Sequence, residues 1–242
     1  MTRRRWIADE THGNVAALTG EHALHLSRVL RARVGQEFDI AAGDLVRLGR
    51  IVSVSDERVE FALGDEVALR AAGELSLVLA IFKFDRMEWA VEKCTEIGVA
   101  RIVPVIARRT DAHLAAAAVK RRERWERIAR SAAEQSRRAE TPEISAPVKL
   151  KELSNAGVGV ASDSRNPRIV LAESEMNVSL RDVLPASADA AVLAVGPEGG
   201  WADDEVLWFR EAGWKAASLG GTILRAETAA IVGSALALEA LR

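Results

Sequence analysis

Residues 194–201 read "AVGPEGGW", an apolar run followed by three glycines and a proline, just ahead of the acidic helix-like stretch "DDEVLWFREAG". Open parallel sheets hold ligands at bends of this kind, at the carboxyl ends of their strands. The residue types argue against two occupants. A triphosphate loop closes in Lys-Ser/Thr with the lysine facing phosphate. Here Glu198 would repel phosphate, and Pro197 removes a backbone donor. A dinucleotide fingerprint needs G-x-G-x-x-G, and Gly196, Gly199 and Gly200 are spaced differently. A ligand without phosphates that carries positive charge and an adenine fits better, and S-adenosylmethionine is such a ligand. A plain tight turn fits the same composition.

A second stretch, "SLGGTILRAETAA" at 218–230, again ends an apolar run in glycines and leads into a helix. Two glycine-bearing loops at strand ends share one rim of a parallel sheet. Arg225 and Glu227 sit between that loop and the final helix, where packing residues are not expected. A surface ion pair is the other reading of those two charges.

Outward from these loops, strands and helices alternate. "LSLVLAIF" is a continuous apolar run, as a strand covered on both faces should be. Asp85 is placed to cap a helix "RMEWAVEKCTEIG", whose Met87, Ala90, Val91, Cys94 and Ile97 follow a helical stripe that Gly98 stops. "RIVPVIA", "GVGVAS", "RIVLA", "AAVLAV" and "WKAASL" read as further strands. A long basic helix spans roughly 119–138, and "ETAAIVGSALALEALR" is a buried terminal helix. This order predicts an α/β domain with a mainly parallel sheet.

The first part of the chain has another rhythm. "EHALHLSRVLR" (21–31) reads as a short helix that buries Leu24, Val29 and Leu30. "EFDIA", "LVRLGRIVSVS" and "RVEFAL" are strand-like, with glycines between them. Residues 1–72 form a small β module and 73–242 the α/β domain, with "RAAGE" (70–74) as the boundary.

The chain has 242 residues, 49% hydrophobic and 28% charged, which suits a folded globular protein. A single cysteine, Cys94, fits a reducing compartment and reads as a core thiol. "MTRRRWIADE" lacks the apolar stretch of a signal peptide, and no run reaches membrane-spanning length. A cytoplasmic protein is expected. Net charge is only −2, yet residues 120–138 hold eight Lys/Arg against three Glu. Arg3, Arg4 and Arg5 with Arg28 and Arg31 form a second basic region. Such patches are the footprint of phosphate binding, or simply a solvated face. His22 and His25 lack further ligands near them, so no metal is expected.

Taken together, "VGPEGGW", "LGGTILRAETAA", "RMEWAVEKCTEIGV", "SAAEQSRR" and the "H-L-S-RVLR" stretch from His25 resemble the RsmE family. These are bacterial methyltransferases of the SPOUT class that modify uridine N3 in 16S ribosomal RNA. The resemblance implies an α/β trefoil-knot domain that binds S-adenosylmethionine, an N-terminal PUA-like β-barrel that helps hold RNA, and a homodimer. It assigns Gly196, Pro197, Glu198 and Gly199 to one cofactor loop and Leu219, Gly220, Ile223 and Leu224 to another, completed by Leu171 and Thr228. Thr222 stands where the family often has arginine.

Uridine N3 carries a proton that must leave before or during methylation. A guanidinium can stabilise the anion and a carboxylate can take the proton. Arg225 is the candidate for the first role, Glu198 and Glu227 for the second. Arg3–Arg5, Arg28, Arg31, Arg137 and Arg138 are candidates for phosphate contacts. The rival readings are a SPOUT enzyme acting on a ribose 2′-hydroxyl and a non-catalytic RNA-binding or ribosome-assembly protein.

Overall fold

The computed structural model describes residues 5–42, 45–67, 73–136, 138, 140–156, 166–185 and 188–241. The strand expected at "GVGVAS" and the candidates Arg3, Arg4 and Arg137 lie outside these residues. The chain divides into two compact units, Met1–Arg70 and Ala71–Arg242.

The first unit holds β1 (Arg5–Ile7), β2 (Glu10–His12), β3 (Val15–Thr19), α1 (Gly20–Leu24), β4 (Glu37–Ala42), β5 (Leu45–Val54) and β6 (Arg58–Glu66). Its sheet runs β1-β4-β5-β6-β3-β2. The two ends of that order are one bent segment. Ala8 N–H donates to Ala41 O on one side and Asp9 N–H to Ala17 O on the other, both at 2.9 Å. The sheet therefore curls around its own core of Trp6, Leu18, Leu26, Ile40, Ile51 and Phe61. In β6 the alternation Val59, Phe61, Leu63 supplies the inward face, as period-two patterning requires.

The helix expected at 21–31 is shorter and differently faced. α1 gives way at once to a π turn, His25–Val29, closed by Leu30 N–H donating to His25 O at 3.1 Å. A five-residue closure rotates later side chains off a 3.6-residue stripe. Ala23 and Leu26 are therefore buried, while Leu24 and Val29, expected inside, are 47% and 66% exposed.

The second unit is built on β7 (Glu74–Ala80), β8 (Arg101–Ile106), β9 (Glu143–Ile144), β10 (Val148–Lys149), β11 (Arg168–Leu171), β12 (Ala190–Val195) and β13 (Lys215–Ala217). Every pairing is parallel, in the order β10-β8-β7-β12-β11-β13, with β9 also on β8. Central β7 sends Leu75, Leu77 and Leu79 to one face and Val78 and Ala80 to the other. α2 (Phe84–Ile97), α3 (Ala112–Ser136) and α6 (Ala226–Ala240) cover the first face; α5 (Asp203–Glu211) covers the second. α4 (Leu180–Val183) is a single turn on the first face. α6 lies close to the sheet because Gly233 has no side chain; a Cβ there would sit 3.1 Å from both Leu171 and Leu193.

α2 buries Met87, Ala90, Val91 and Cys94 as its spacing predicts, and Gly98 (φ 118°) ends it. Its cap position is Lys83, with no side-chain cap bond, and Asp85 stands inside the first turn. The helix thus starts two residues earlier than a cap at Asp85 would place it; an acid in the first turn still meets the positive helix end. Arg138, expected on an RNA-facing surface, is half-buried. Its Nη1 donates to Thr95 O (2.8 Å) and Val99 O (2.7 Å), closing the C-terminal end of α2. Arg138→Met should leave these carbonyls short of partners and destabilise the unit by about 1–3 kcal/mol. Thermal unfolding reads this as a drop of roughly 2–4 °C per kcal/mol for a unit of this size.

Cys94 is fully buried, 3.9 Å from Ser234 Oγ, and burial pushes its thiol up to about 12. The thiolate is the reactive form. A thiol reagent should therefore label native protein only at the rate at which α2 and α6 open, and label it at once in denaturant. Fast native labelling would contradict this packing.

Candidate active site

Three loops leave the C-terminal rim of the parallel sheet side by side. They follow β11, β12 and β13, and β11 lies between the other two in the sheet. The two glycine loops are therefore not immediate neighbours, as the sequence implied. The β11 loop sits between them and is tied to the β13 loop: Ser218 N–H donates to Val178 O (2.9 Å), and Leu180 N–H to Ser218 O (3.0 Å).

The β12 loop is a tight turn in which Gly200 N–H donates to Pro197 O at 2.8 Å. Gly200 takes φ 69°, a left-handed conformation that glycine adopts without strain. Beneath the turn, buried Trp201 fills the space that a Gly196 side chain would need, 3.3 Å from that ideal Cβ. Phe209 holds the indole edge-on at 4.8 Å. Glu205, buried in the first turn of α5, accepts from Ala202 N–H (2.9 Å) and from Arg108 N–H (2.8 Å). This carboxylate fastens the β8–α3 turn to the start of α5. Arg109, on the same turn, donates from Nη1 to Gly199 O. In the β13 loop Gly220 takes φ 125°.

Together these loops enclose a cavity of about 320 Å³. Leu171, Gly196, Pro197, Glu198, Gly199, Leu219, Gly220, Ile223 and Leu224 line it, all expected from the sequence. Thr228 does not line it; it is half-buried in the first turn of α6. Arg225 and Glu227 also lie outside the lining. Arg225 is exposed and occupies the position before α6. Glu227 is buried, with Oε1 3.8 Å from Arg86 Nη1 and Oε2 without a partner. Sequence reasoning missed Arg109, Glu173 and Met176. Their signal was position alone: each follows a parallel strand on the same rim.

The basic candidates separate. Arg28 makes a two-nitrogen pair with Asp56, which also accepts from Ser27 Oγ (2.9 Å), and Asp56 holds the guanidinium pKa above its usual value. Arg31 is exposed with φ 51°, uncommon for a residue with a side chain. Arg5 is half-buried in β1. Among the described residues no group of three or more His, Cys, Asp or Glu could hold a metal. Among the described residues no helix is long and apolar enough to cross a membrane.

A backbone-lined cavity on the strand-end rim of a parallel sheet defines a ligand-binding α/β enzyme domain. Residues 70–238 match the family described as RNA methyltransferase domain. The chain is 34% identical to ribosomal RNA small subunit methyltransferase E of Mycobacterium tuberculosis, over 91% of this chain and 84% of that one. It is also 34% identical to the protein of that name from Mesomycoplasma hyopneumoniae, over 94% and 95%. The crystal structure of the Neisseria gonorrhoeae ribosomal RNA small subunit methyltransferase E bound to S-adenosyl methionine aligns with a TM-score of 0.65 at 29% identity, covering 97% of this chain and 96% of that one. The chain therefore belongs to the ribosomal RNA small subunit methyltransferase E family, and its α/β domain has the SPOUT fold.

Proposed function

We propose that the protein methylates N3 of a uridine in 16S ribosomal RNA of the small subunit, with S-adenosylmethionine as donor. The observation that carries this reading is the three-loop cavity within a domain of this family. Its residues fit the donor. Glycines expose backbone N–H and C=O groups to an adenine, and Glu173, Glu175, Glu198 and Asp203 border the space with negative charge suited to a sulfonium. Trp201 also borders the cavity, its buried indole packed beneath Gly196 and supporting the loop from below. The volume falls in the ordinary range for small-ligand sites, roughly 300–1,000 Å³.

When bound, the donor supplies an electrophilic methyl group on sulfur. At the base, the N3–CH3 bond forms as the S–CH3 bond breaks, the electron pair stays on sulfur, and the N3 proton passes to water or a carboxylate. Glu198, exposed at the cavity edge, is placed for that transfer better than Glu227, which is buried outside it. The chain's main contribution is to hold both reactants in line. Arg225, outside the cavity, acts on the RNA strand rather than on the donor, and Arg5 and Arg31 of the first unit contact phosphates. The PUA-like role of the curled sheet, the knotted path, the homodimer and the cytoplasmic location belong to the same reading. The knotted path is supported by a strand order in which β11 lies between the later β12 and β13. Exposed Ile223 (82%) and Met176 (80%) beside the cavity support a covering partner copy.

Two measurements test the reading. Calorimetry should show binding of S-adenosylmethionine, and its absence would favour a non-catalytic role. Mass spectrometry of 16S RNA nucleosides from cells with and without the protein should show 3-methyluridine only with it. A methyl group on ribose would replace this reading with a 2′-hydroxyl transferase.

A further inference from the structure

The side chain that reaches the cavity with positive charge is not the one the sequence nominated. Among the described residues lining the space, Arg109 is the only Lys or Arg. Arg225 is exposed and outside the lining.

The turn that carries Arg109 is fastened on every side. Ala107 N–H donates to Thr110 Oγ1 and Thr110 N–H to Ala107 O, both at 3.1 Å. Thr110 Oγ1 in turn donates to Ile81 O at 3.1 Å, the residue that follows β7. Arg108 spends its backbone N–H on buried Glu205 (2.8 Å) and its guanidinium on Asp204 (2.7 Å). Asp111 caps α3 through His113 N–H at 2.8 Å. Neighbours on both sides thus have structural partners, and the Arg109 side chain projects from a rigid base.

Its direction is fixed as well. One guanidinium N–H is bound to Gly199 O. The stem runs 3.4 Å from where a Gly199 Cβ would be, and Nη1 lies 4.0 Å from the corresponding point at Gly200. Missing side chains at 199 and 200 leave Arg109 the room it occupies. A guanidinium carries five N–H donors in a planar fork, and four remain for a ligand. Donors held in place before reaction, aimed where charge develops, are the strongest single aid to a reaction of this type.

We propose that Arg109 is a catalytic residue, donating to a carbonyl oxygen of the target base as N3 loses its proton and gains the methyl group. This rests on the uridine-N3 reading above. Negative charge left by the N3 proton spreads over O2 and O4, and the fork meets it there. The proton goes to water or a carboxylate, and the charge disappears as the N3–CH3 bond forms.

The test uses full-length protein, S-adenosylmethionine and small ribosomal subunits from cells lacking this activity. Arg109→Met and Arg109→Lys are compared with wild type for donor affinity, for single-turnover rate with donor saturating, and for the pH dependence of that rate. In Arg109→Met, donor affinity should stay within about threefold. The rate near neutral pH should fall about 100- to 1,000-fold, the size of losing one such donor. The deficit should shrink as pH rises, because alkali ionises the base without help. Lysine, which keeps the charge but not the fork, should recover part of the rate and part of the profile. If Arg109 only tethers Gly199, donor affinity falls instead, or the deficit is independent of pH, and the proposal is overturned. A wild-type product other than 3-methyluridine defeats the uridine reading itself, which the product analysis reveals before any variant is made.

Discussion

Gly196→Val should lower the affinity for S-adenosylmethionine by about 100-fold, or about 2.7 kcal/mol, while the protein stays folded. Gly196 follows β12, and its ideal Cβ would stand 3.3 Å from Cε2 and Nε1 of Trp201. The indole has no easy retreat. It is 6% exposed, and Phe209 stands edge-on behind it, itself flanked by Trp214 at 5.0 Å. A branched side chain must then push the Pro197–Gly200 turn into the cavity or tilt the indole that lines it. Both outcomes remove backbone groups from the positions a ligand would use. The contrast within the same site is Gly221→Ala. Gly221 also lines the cavity, but nothing lies within 4 Å of its ideal Cβ and its φ is not positive. That substitution should change affinity by less than about 0.5 kcal/mol, the range of uncommitted surface changes. Calorimetry on the three proteins decides. Equal affinity in Gly196→Val and wild type would mean the donor binds elsewhere.

How much of this site could be read from the chain depends on how local the cause was. The "LSLVLAIF" run announces β7 because a strand covered on both faces reads as a nearly unbroken apolar run, broken here only by Ser76, and β7 is flanked by β12 and β8. Met87 through Cys94 announce α2 because one helical stripe meets one core. Gly200 and Gly220 announce their loops because their left-handed φ values favour glycine. Strand order was not legible. Parallel pairing links residues far apart, such as Val170 with Ala194 and with Ala216, and leaves no mark on either segment. That is why the β11 loop, with Glu173 and Met176, was missed between the two glycine loops. Arg138 shows the same limit for charge. Its sequence neighbours make it look like part of a basic run, whereas its partners are carbonyls 39 and 43 residues away. Arg109 and Arg225 differ likewise in what surrounds them in space, not in what adjoins them in the chain. The π turn at His25–Val29 is a subtler case. Every residue there permits an ordinary helix, and only the surrounding core selects Leu26 over Leu24 and Val29.

A large loss of stability should come from Gly49→Ala, in the first unit. Gly49 sits inside β5, a position where glycine ordinarily weakens a strand by giving up side-chain packing. The reason for it is the neighbouring strand. A Cβ at 49 would fall 2.3 Å from Ile40 Cγ1 and 3.3 Å from both Ile40 Cβ and Phe61 Cβ. Ile40 and Phe61 are fully buried, so neither can swing into solvent. Ile40 is also β-branched, which leaves it few alternative rotamers. Relief must come from the backbone, by spreading β5 away from β4 or β6. The register between β5 and β6 already shifts between Arg47 and Gly49. Further movement there breaks hydrogen bonds rather than bending them. Overpacking of this kind costs about 1–3 kcal/mol and at times more. For a unit of 70 residues each kcal/mol lowers the melting midpoint by about 4–8 °C. Gly49→Ala combined with Ile40→Ala, which vacates the clashing atoms, supplies the check. The double variant should lose less than the sum of the two single losses, because the second change removes the atoms that the first one strikes. Strictly additive losses would show that Gly49 is required for some reason other than the approach of Ile40.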